Sequence, residues 1–538
     1  PFTTTFPRAD IHELITCDLL HQVIKGTFKD HLVTFVGIYL DNTYGKARAA
    51  AIMADIDRRI AAAPSFPGLR RFPEGRGFKQ WTGDDSKALM KVYLPALSGL
   101  VPPQMVRALA GFLDFCYLVR RSVHTETTLA QIDDALTRFH RDRVIFEVEG
   151  IRTTGLSLPR QHSLVHYKEV IQLFGSPNGL CSSITESKHI KAVKEPWRRS
   201  NHFDALGQML LTNQRLDKLA AARVDFTNRR MLDGPILPFG HILPLTPATN
   251  DEDNIYDNNI SDGTDDDSDD EGHDEDNNDD NVVSGPRVLS EVILARTPGI
   301  LCLSTSNCTV SDQIHSARGY PRSLNDISVH FNLPMLPRLI REFLHDQLYL
   351  NSAIPALDQP GPDLISLPKS LKIFHSAIAE FYAPSDASST GGMRRERIRA
   401  TPSWRRGPPR NDCLLATKDP SLDGMRGLFA ARVVLFFSFR LKHDEVIYPC
   451  ALVQGFSPIK DEPCRDTGMW IVERDWDDDG LQSMTVIHLD SIVRGTHLIP
   501  VFGEDFIGRD ITYSNSLDHF NEYYVSKFAD HHMYEIAF

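Results

Sequence analysis

Apolar residues recur every three or four positions through several stretches of the first half of the chain, and that spacing predicts helices. Val106 to Val119 is apolar on most sides, as a buried helix is, and Pro102-Pro103 marks its start. Thr127 to Phe139 follows, with Leu129, Ile132, Leu136 and Phe139 on one stripe and His124 to Thr127 as the turn between the two helices. Phe203 to Leu232 is a third helical stretch, with Leu206, Met209, Leu210, Leu216 and Leu219 as its expected core face. Farther on, Leu336 to Leu348 has the pattern of an amphipathic helix.

Past residue 426 the pattern changes. Ala430 to Phe439, Tyr448 to Val453, Gly468 to Val472 and Met484 to Leu489 are short β-branched and aromatic runs split by turn residues. They predict a small barrel or sandwich. The expected organisation is therefore a mostly helical region 1–235, a linker 236–289, a mixed and partly helical region 290–384, a basic loop 385–412 and a β-rich domain 413–538. The fold class is α+β and multidomain.

Charge changes this picture at one place. The 538-residue chain has a formal charge of −13, but residues 251–280 alone hold sixteen acidic side chains and no Lys or Arg. Removing those sixteen negative charges turns −13 into +3. The remainder is thus mildly basic, which permits a nucleic-acid partner. The acidic run has too few apolar residues to offset the entropy of ordering it, so a disordered spacer is expected. No run of about 18 apolar residues occurs, so no membrane span is expected. The eight cysteines, at 17, 116, 181, 302, 308, 413, 450 and 464, form no Cys-x-x-Cys pair. They read as buried thiols of a reducing compartment.

Candidate chemistry sits in two motifs. The first is Asp10-Ile-His12 with Ile15-Thr-Cys-Asp18-Leu-Leu-His21-Gln22. The second, after Val165-His166-Tyr167, is Thr185-Glu186-Ser-Lys-His189-Ile190. In this order they resemble the Plavaka family of fungal transposases, which is related to the CACTA type. The resemblance spans about residues 8 to 232, and the end of the chain, Phe528 to Phe538, is similar to the same family's tail.

The resemblance implies a DDE-type enzyme with a mostly helical, partial RNase H-like transposase core carrying a helical insertion. Its chemistry would be Mg²⁺- or Mn²⁺-dependent cleavage and transfer of DNA strands in the nucleus, with a homo-oligomer as a possible assembly. Asp18 matches the family's second aspartate, Glu186 its glutamate, and both would be metal ligands. Such chemistry uses two divalent cations about 4 Å apart, held by carboxylate oxygens. His21 would orient a carboxylate or contact the scissile phosphate. His162 and His166 read as structural. The first aspartate has no counterpart after Pro1 and is expected upstream, in an N-terminal part that also holds most of the sheet. With two of three carboxylates, the chain as given is expected to be inactive.

Lys188, Lys191, Lys194, Arg198 and Arg199 follow Glu186, and at helical spacing most of them fall on one face. They are candidates for contacts to the DNA backbone. Arg394, Arg395, Arg397, Arg399, Arg405, Arg406 and Arg410 cluster around Trp404. They suit either phosphate contacts or a nuclear import signal, or else a solvated loop. The alternative to a transposase is an inactive transposon remnant, or a host-adopted protein that binds DNA or chromatin.

Overall fold

Helices form where the three- and four-residue apolar spacing runs, some of them opened by side-chain caps and others without one. The computed structural model describes residues 15–77, 81–182, 184, 188–229, 231, 290–295, 317, 319–349, 361–385, 392–404, 406–441, 446–478 and 480–538. The longer helices up to residue 182 are α1 (Leu19–Val33), α2 (Thr34–Ala61), α3 (Gly83–Leu97), α4 (Pro103–Val119), α5 (Glu126–Asp142) and α6 (Tyr167–Phe174). Thr82 and Thr125 cap α3 and α5 through reciprocal hydrogen bonds with Asp85 and Thr128. Pro103 opens α4, where its missing N–H costs nothing. A Cβ on Gly111 of α4 would lie 3.0 Å from the Phe139 amide nitrogen, so this glycine lets α4 and α5 cross closely.

Helix α1 is wider than an α-helix, with π-type turns. The Thr27 hydroxyl donates to the Gln22 carbonyl at 2.8 Å and the Thr34 hydroxyl to the Lys29 carbonyl at 3.3 Å, each reaching back five residues. Such turns are uncommon, and in other proteins they are frequent at functional sites.

The second half of the chain is built on two antiparallel sheets. Strands β1 (Ser290–Leu294), β3 (Ser376–Tyr382), β4 (Met393–Thr401) and β5 (Arg410–Asn411) pair in that order. The larger sheet runs β11 (Ile492–Thr496), β6 (Cys413–Thr417), β7 (Leu428–Arg440), β8 (Ile447–Pro458), β9 (Trp470–Arg474), β13 (Glu522–Val525) and β12 (Leu498–Pro500). Strand β10 (Met484–His488) pairs with β8, and β2 (Leu371–Phe374) with β7. This C-terminal sheet domain is nearly barrel-shaped. The four expected strand runs fall on β7 to β10.

A bulge in β7 explains how one strand serves two cores. Ala431 and Val433 join the cluster that includes Phe374, Phe381 and Ile398. The register slips between Val433 and Leu435, and the parity of the side chains reverses. Phe436 then continues that cluster, while Leu435, Phe437 and Phe439 face α8 (Leu324–His330) and α9 (Leu336–Tyr349). Helix α9 buries Leu336, Leu339, Ile340, Phe343 and Leu344, the stripe its sequence predicts.

The helices before residue 182 and the C-terminal sheet share one core. Phe112, Phe115 and Tyr117 belong to the same cluster as Val472, Tyr523 and Phe528. Polar groups fasten this seam. Arg59, fully buried, pairs with Asp55 at 2.8 Å and donates to the carbonyls of Ser98, Gly503 and Asp505, each at 3.0 Å. Lys527 pairs with buried Asp114 at 2.7 Å, and His497 Nε2 donates to the Pro64 carbonyl at 2.9 Å. Helix α10 (His531–Ala537) ends the chain inside this core, with Met533 and Ala537 buried.

Two compact units result, one of residues 1–185, 281–297 and 314–538, the other of 186–280 and 298–313. The division falls inside the region 1–235 that the sequence suggested as one domain. In the second unit, α7 (Ala205–Asn228) confirms the expected helix but not its core face. Leu206, Leu210, Leu216 and Leu219 are exposed, and only Ala205 of the helix is buried. The spacing found the helix; it carries no information on whether a partner surface covers it.

One further expectation changes. The basic stretch 385–412 is not simply a loop, because Met393–Thr401 is strand β4. Glu396, Ile398 and Ala400 alternate inward, a period of two that the charge of the neighbouring arginines obscures. Several of those arginines pair within the fold: Arg394 lies 3.7 Å from Asp530, Arg395 is 3.4 Å from Glu380 at the surface, and Arg397 donates to the Ser376 hydroxyl. Arg399 lies over Trp404, and Arg410 pairs with Asp412. Arg405 lies outside the described residues. The described residues from 15 to 229 contain helices and no strand, in line with the mostly helical region expected, and the chain as a whole is mixed helix and sheet.

Candidate active site

Asp18 stands at the N-terminal mouth of α1. Its backbone is extended there (φ −110°, ψ 103°), and its Oδ1 accepts the Leu20 N–H at 3.0 Å, an N-cap. The wide first turns bring His21 back onto it. His21 Nδ1 lies 2.5 Å from Asp18 Oδ2. From the other end of the helical region, the Ser182 hydroxyl reaches both carboxylate oxygens at 2.9 Å, and it lies 3.0 Å from His21 Nδ1. Cys181 adds its thiol at 3.5 Å from Oδ1.

Two more motif residues complete the support. Gln22 Oε1 accepts the Asp18 amide N–H at 3.1 Å and faces the Tyr167 hydroxyl at 3.4 Å. Tyr167 is fully buried and packs edge-on against Phe115. Residues 145 positions apart in the chain are thus joined by side chains of two separate sequence motifs.

The electrostatics follow from this geometry. Burial on its own pushes the Asp18 carboxyl up. Hydrogen bonds from His21 and Ser182, the charge of His21 and the Leu20 N–H outweigh it and hold the group below its ordinary value. Burial pushes the Cys17 thiol up to about 11 and the Tyr167 hydroxyl well above its usual value, with Cys17 and Asp18 adding to the latter. Neither is a ready nucleophile. The His21 side chain is 53% exposed and that of Asp18 27%, so solvent reaches both.

These residues do not make a magnesium site by themselves. Mg²⁺ takes an octahedron of hard oxygens. The cluster offers one carboxylate, one hydroxyl and one imidazole, and the carboxylate already accepts several donors. Among the described residues no three His, Cys, Asp or Glu side chains come together as metal ligands. Glu186, Asp10, His12 and Thr185 lie outside the described residues.

Lys188, Lys191, Lys194, Arg198 and Arg199 are all exposed, in the second unit. They do not share one regular α-helix: Ile190–Lys194 has π-type turns and Glu195–Arg199 is a short α-helix. His162 and His166 are exposed and meet each other edge-on rather than sitting in a core. Asp530, His531 and His532 are buried, Asp530 and His532 against Arg494 and His531 against Tyr117.

Sequence reasoning missed Ser182 and Cys181. No local signal marked Ser182, which lies three positions before the motif that begins at Thr185.

The family model of Plavaka transposases matches residues 1–36. The match relates the chain to transposases through the stretch that holds Asp18, His21 and Gln22. It stops short of Tyr167, Ser182 and Glu186. No curated protein and no solved structure matches.

Proposed function

We propose that the protein is a DNA transposase component whose reaction centre is built around Asp18. The observation that carries this reading is the coincidence of the Plavaka match with the structured cluster: the matched residues include Asp18 and His21, and the fold places Ser182 and Tyr167 around them. The substrate is nuclear DNA at transposon ends and target sites. Asp18 and Glu186 are in this reading two of the three carboxylates of an RNase H-like DDE centre, with a further aspartate needed to complete it. Mg²⁺ bound there would supply charge stabilisation at the reacting phosphate. This chain's own residues orient Asp18 through Ser182 and Leu20, keep the His21 ring against it, and meet the DNA backbone through Lys188, Lys191, Lys194, Arg198 and Arg199.

Paired cleavage and gel-shift assays on terminal-repeat DNA test the reading. Glu186→Gln keeps volume but loses the charge that holds a cation. It should abolish cleavage and leave DNA binding largely intact, while binding falls steeply with salt in both proteins. A Gln variant that cleaves as fast as wild type sinks the role of Glu186. A full-length wild type that binds and never cleaves would favour the inactive, DNA- or chromatin-binding alternative.

A further inference from the structure

We propose that Ser182 is a positioning residue that fixes both the Asp18 carboxylate and the His21 ring of this site. The proposal rests on the functional reading above for its kinetic consequence, but its geometry stands alone.

A hydroxyl has one proton and two lone pairs. Ser182 sits 2.9 Å from each oxygen of Asp18, so its proton bridges the carboxylate and sets the rotation of that group. At 3.0 Å from His21 Nδ1, its oxygen also accepts from the ring. With Asp18 Oδ2 at 2.5 Å and Ser182 at 3.0 Å, both acceptors, Nδ1 must carry the proton. Whenever the ring is neutral, its lone pair is therefore on Nε2, on a side chain that is 53% exposed. The triangle thus holds one tautomer and points one nitrogen outward. Ring orientation set by the hydrogen bond at the other nitrogen is how carboxylate–histidine pairs work at many reaction centres.

Ser182 does this from a distant part of the chain. It lies 164 residues from Asp18, on the segment that Cys181 anchors by its own contact to Oδ1. Ser176 and Asn178 of the same segment donate to the Arg121 and Arg120 carbonyls, which ties it to the end of α4. The hydroxyl is therefore delivered by a braced segment.

The full chain and its Ser182→Ala and Ser182→Thr variants test this. On supercoiled plasmid DNA in magnesium chloride, Ser182→Ala should lower the kcat for strand nicking about 10- to 100-fold, the usual effect of losing an outer partner. KM and thermal midpoint should stay near wild type, and Ser182→Thr should restore most of the rate. A lower thermal midpoint that accounts for the lost rate, or no rescue by Thr, overturns the positioning role. The second arm needs no activity. Nitrogen-15 spectra of labelled histidine, with His21→Gln for assignment, should show the Nδ1–H tautomer in wild type and Ser182→Thr. A mixture should appear in Ser182→Ala. An unchanged His21 signal in Ser182→Ala overturns the proposal even if the wild type nicks DNA. If Ser182→Ala shifts the tautomer while the wild type never nicks, the triangle stands and the inactive, DNA- or chromatin-binding alternative is favoured.

Discussion

Asp18 and Asp530 do the same local job in opposite surroundings. Each caps a helix, Asp18 through the Leu20 N–H and Asp530 through the Met533 N–H at 2.8 Å. Each has a histidine within three residues, and each carboxyl is held below its ordinary value. For Asp530 the opposing effect of burial comes first, and the charges of Arg494 and Arg394 overcome it. Arg494 is fully buried, grips Asp530 with two bonds of 2.6 and 2.7 Å and reaches Glu396 at 3.0 Å. Asp18 has a hydroxyl, an amide and a half-exposed imidazole instead. An acidic residue locked to a buried guanidinium is bound into the architecture; one held by a hydroxyl, an amide and a half-exposed imidazole stays open to solvent. Burial, not the Asp–His pattern, separates the two.

The largest expected effect is therefore at the sealed site. Asp530→Asn leaves the Arg494 charge buried without its full partner, and urea denaturation should show a loss of about 3–5 kcal/mol. A loss near zero would break the contrast with Asp18. Arg59→Met tests the seam between helices and sheet. It removes the donor to the Gly503 and Asp505 carbonyls, while Asp55 keeps Arg58 at 2.7 Å and the Ile507 N–H at 3.0 Å. A loss of about 3 kcal/mol is expected, with faster hydrogen exchange at residues 503–507. Unchanged exchange there would show that the seam is held by apolar packing alone.

Acid should act through the same seam. Burial pushes His497 down to about 4. Its neutral form is the folded one, whereas the unfolded chain takes up the proton near its ordinary value of about 6.5. The stability it confers is thus complete above about pH 6.5 and is lost as pH falls toward 4, by about 1.4 kcal/mol per unit. His497→Gln keeps a donor for the Pro64 carbonyl and should remove one proton's worth of this slope from urea midpoints measured across that range. An identical slope would assign the acid sensitivity elsewhere. Smallest in stability is Asp18→Asn, because Asn caps a helix as well as Asp does; less than about 1 kcal/mol should be lost. Nicking of plasmid DNA should nevertheless fall by at least about 100-fold. A stable variant with full nicking activity would leave Asp18 as a cap and nothing more.

Much of the fold was legible where periodicity is a local property. The helices α4, α5 and α9 and the strands β7 to β10 follow from spacing that each segment carries by itself. Strand β4 was hidden because seven arginines dominate the reading of 385–412, and only partners such as Glu380, Trp404 and Asp412 show that part of this charge is matched within the fold. The apolar face of α7 was misjudged for the opposite reason, since apolar spacing specifies a helix without specifying a cover. Of the site, Asp18 and His21 were readable as a motif, and Gln22 and Tyr167 lay within quoted motifs. Ser182 was not, because a hydroxyl acquires meaning only from what it faces, and its partners lie 161 and 164 residues away.

The seam between the first helices and the last strands also sets a schedule for biosynthesis. The Tyr117 hydroxyl finds its acceptor in the Phe528 carbonyl, 411 residues later in the chain. At roughly 5–20 residues per second of translation, α4 waits about 20–80 s for that partner. During that interval the nascent helices present Phe115, Tyr117 and their apolar neighbours to the cytosol, a surface that invites chaperones and association between nascent chains. A messenger cut short before the codon for Phe528 therefore yields a chain with an unfinished core, however complete its first 182 residues are.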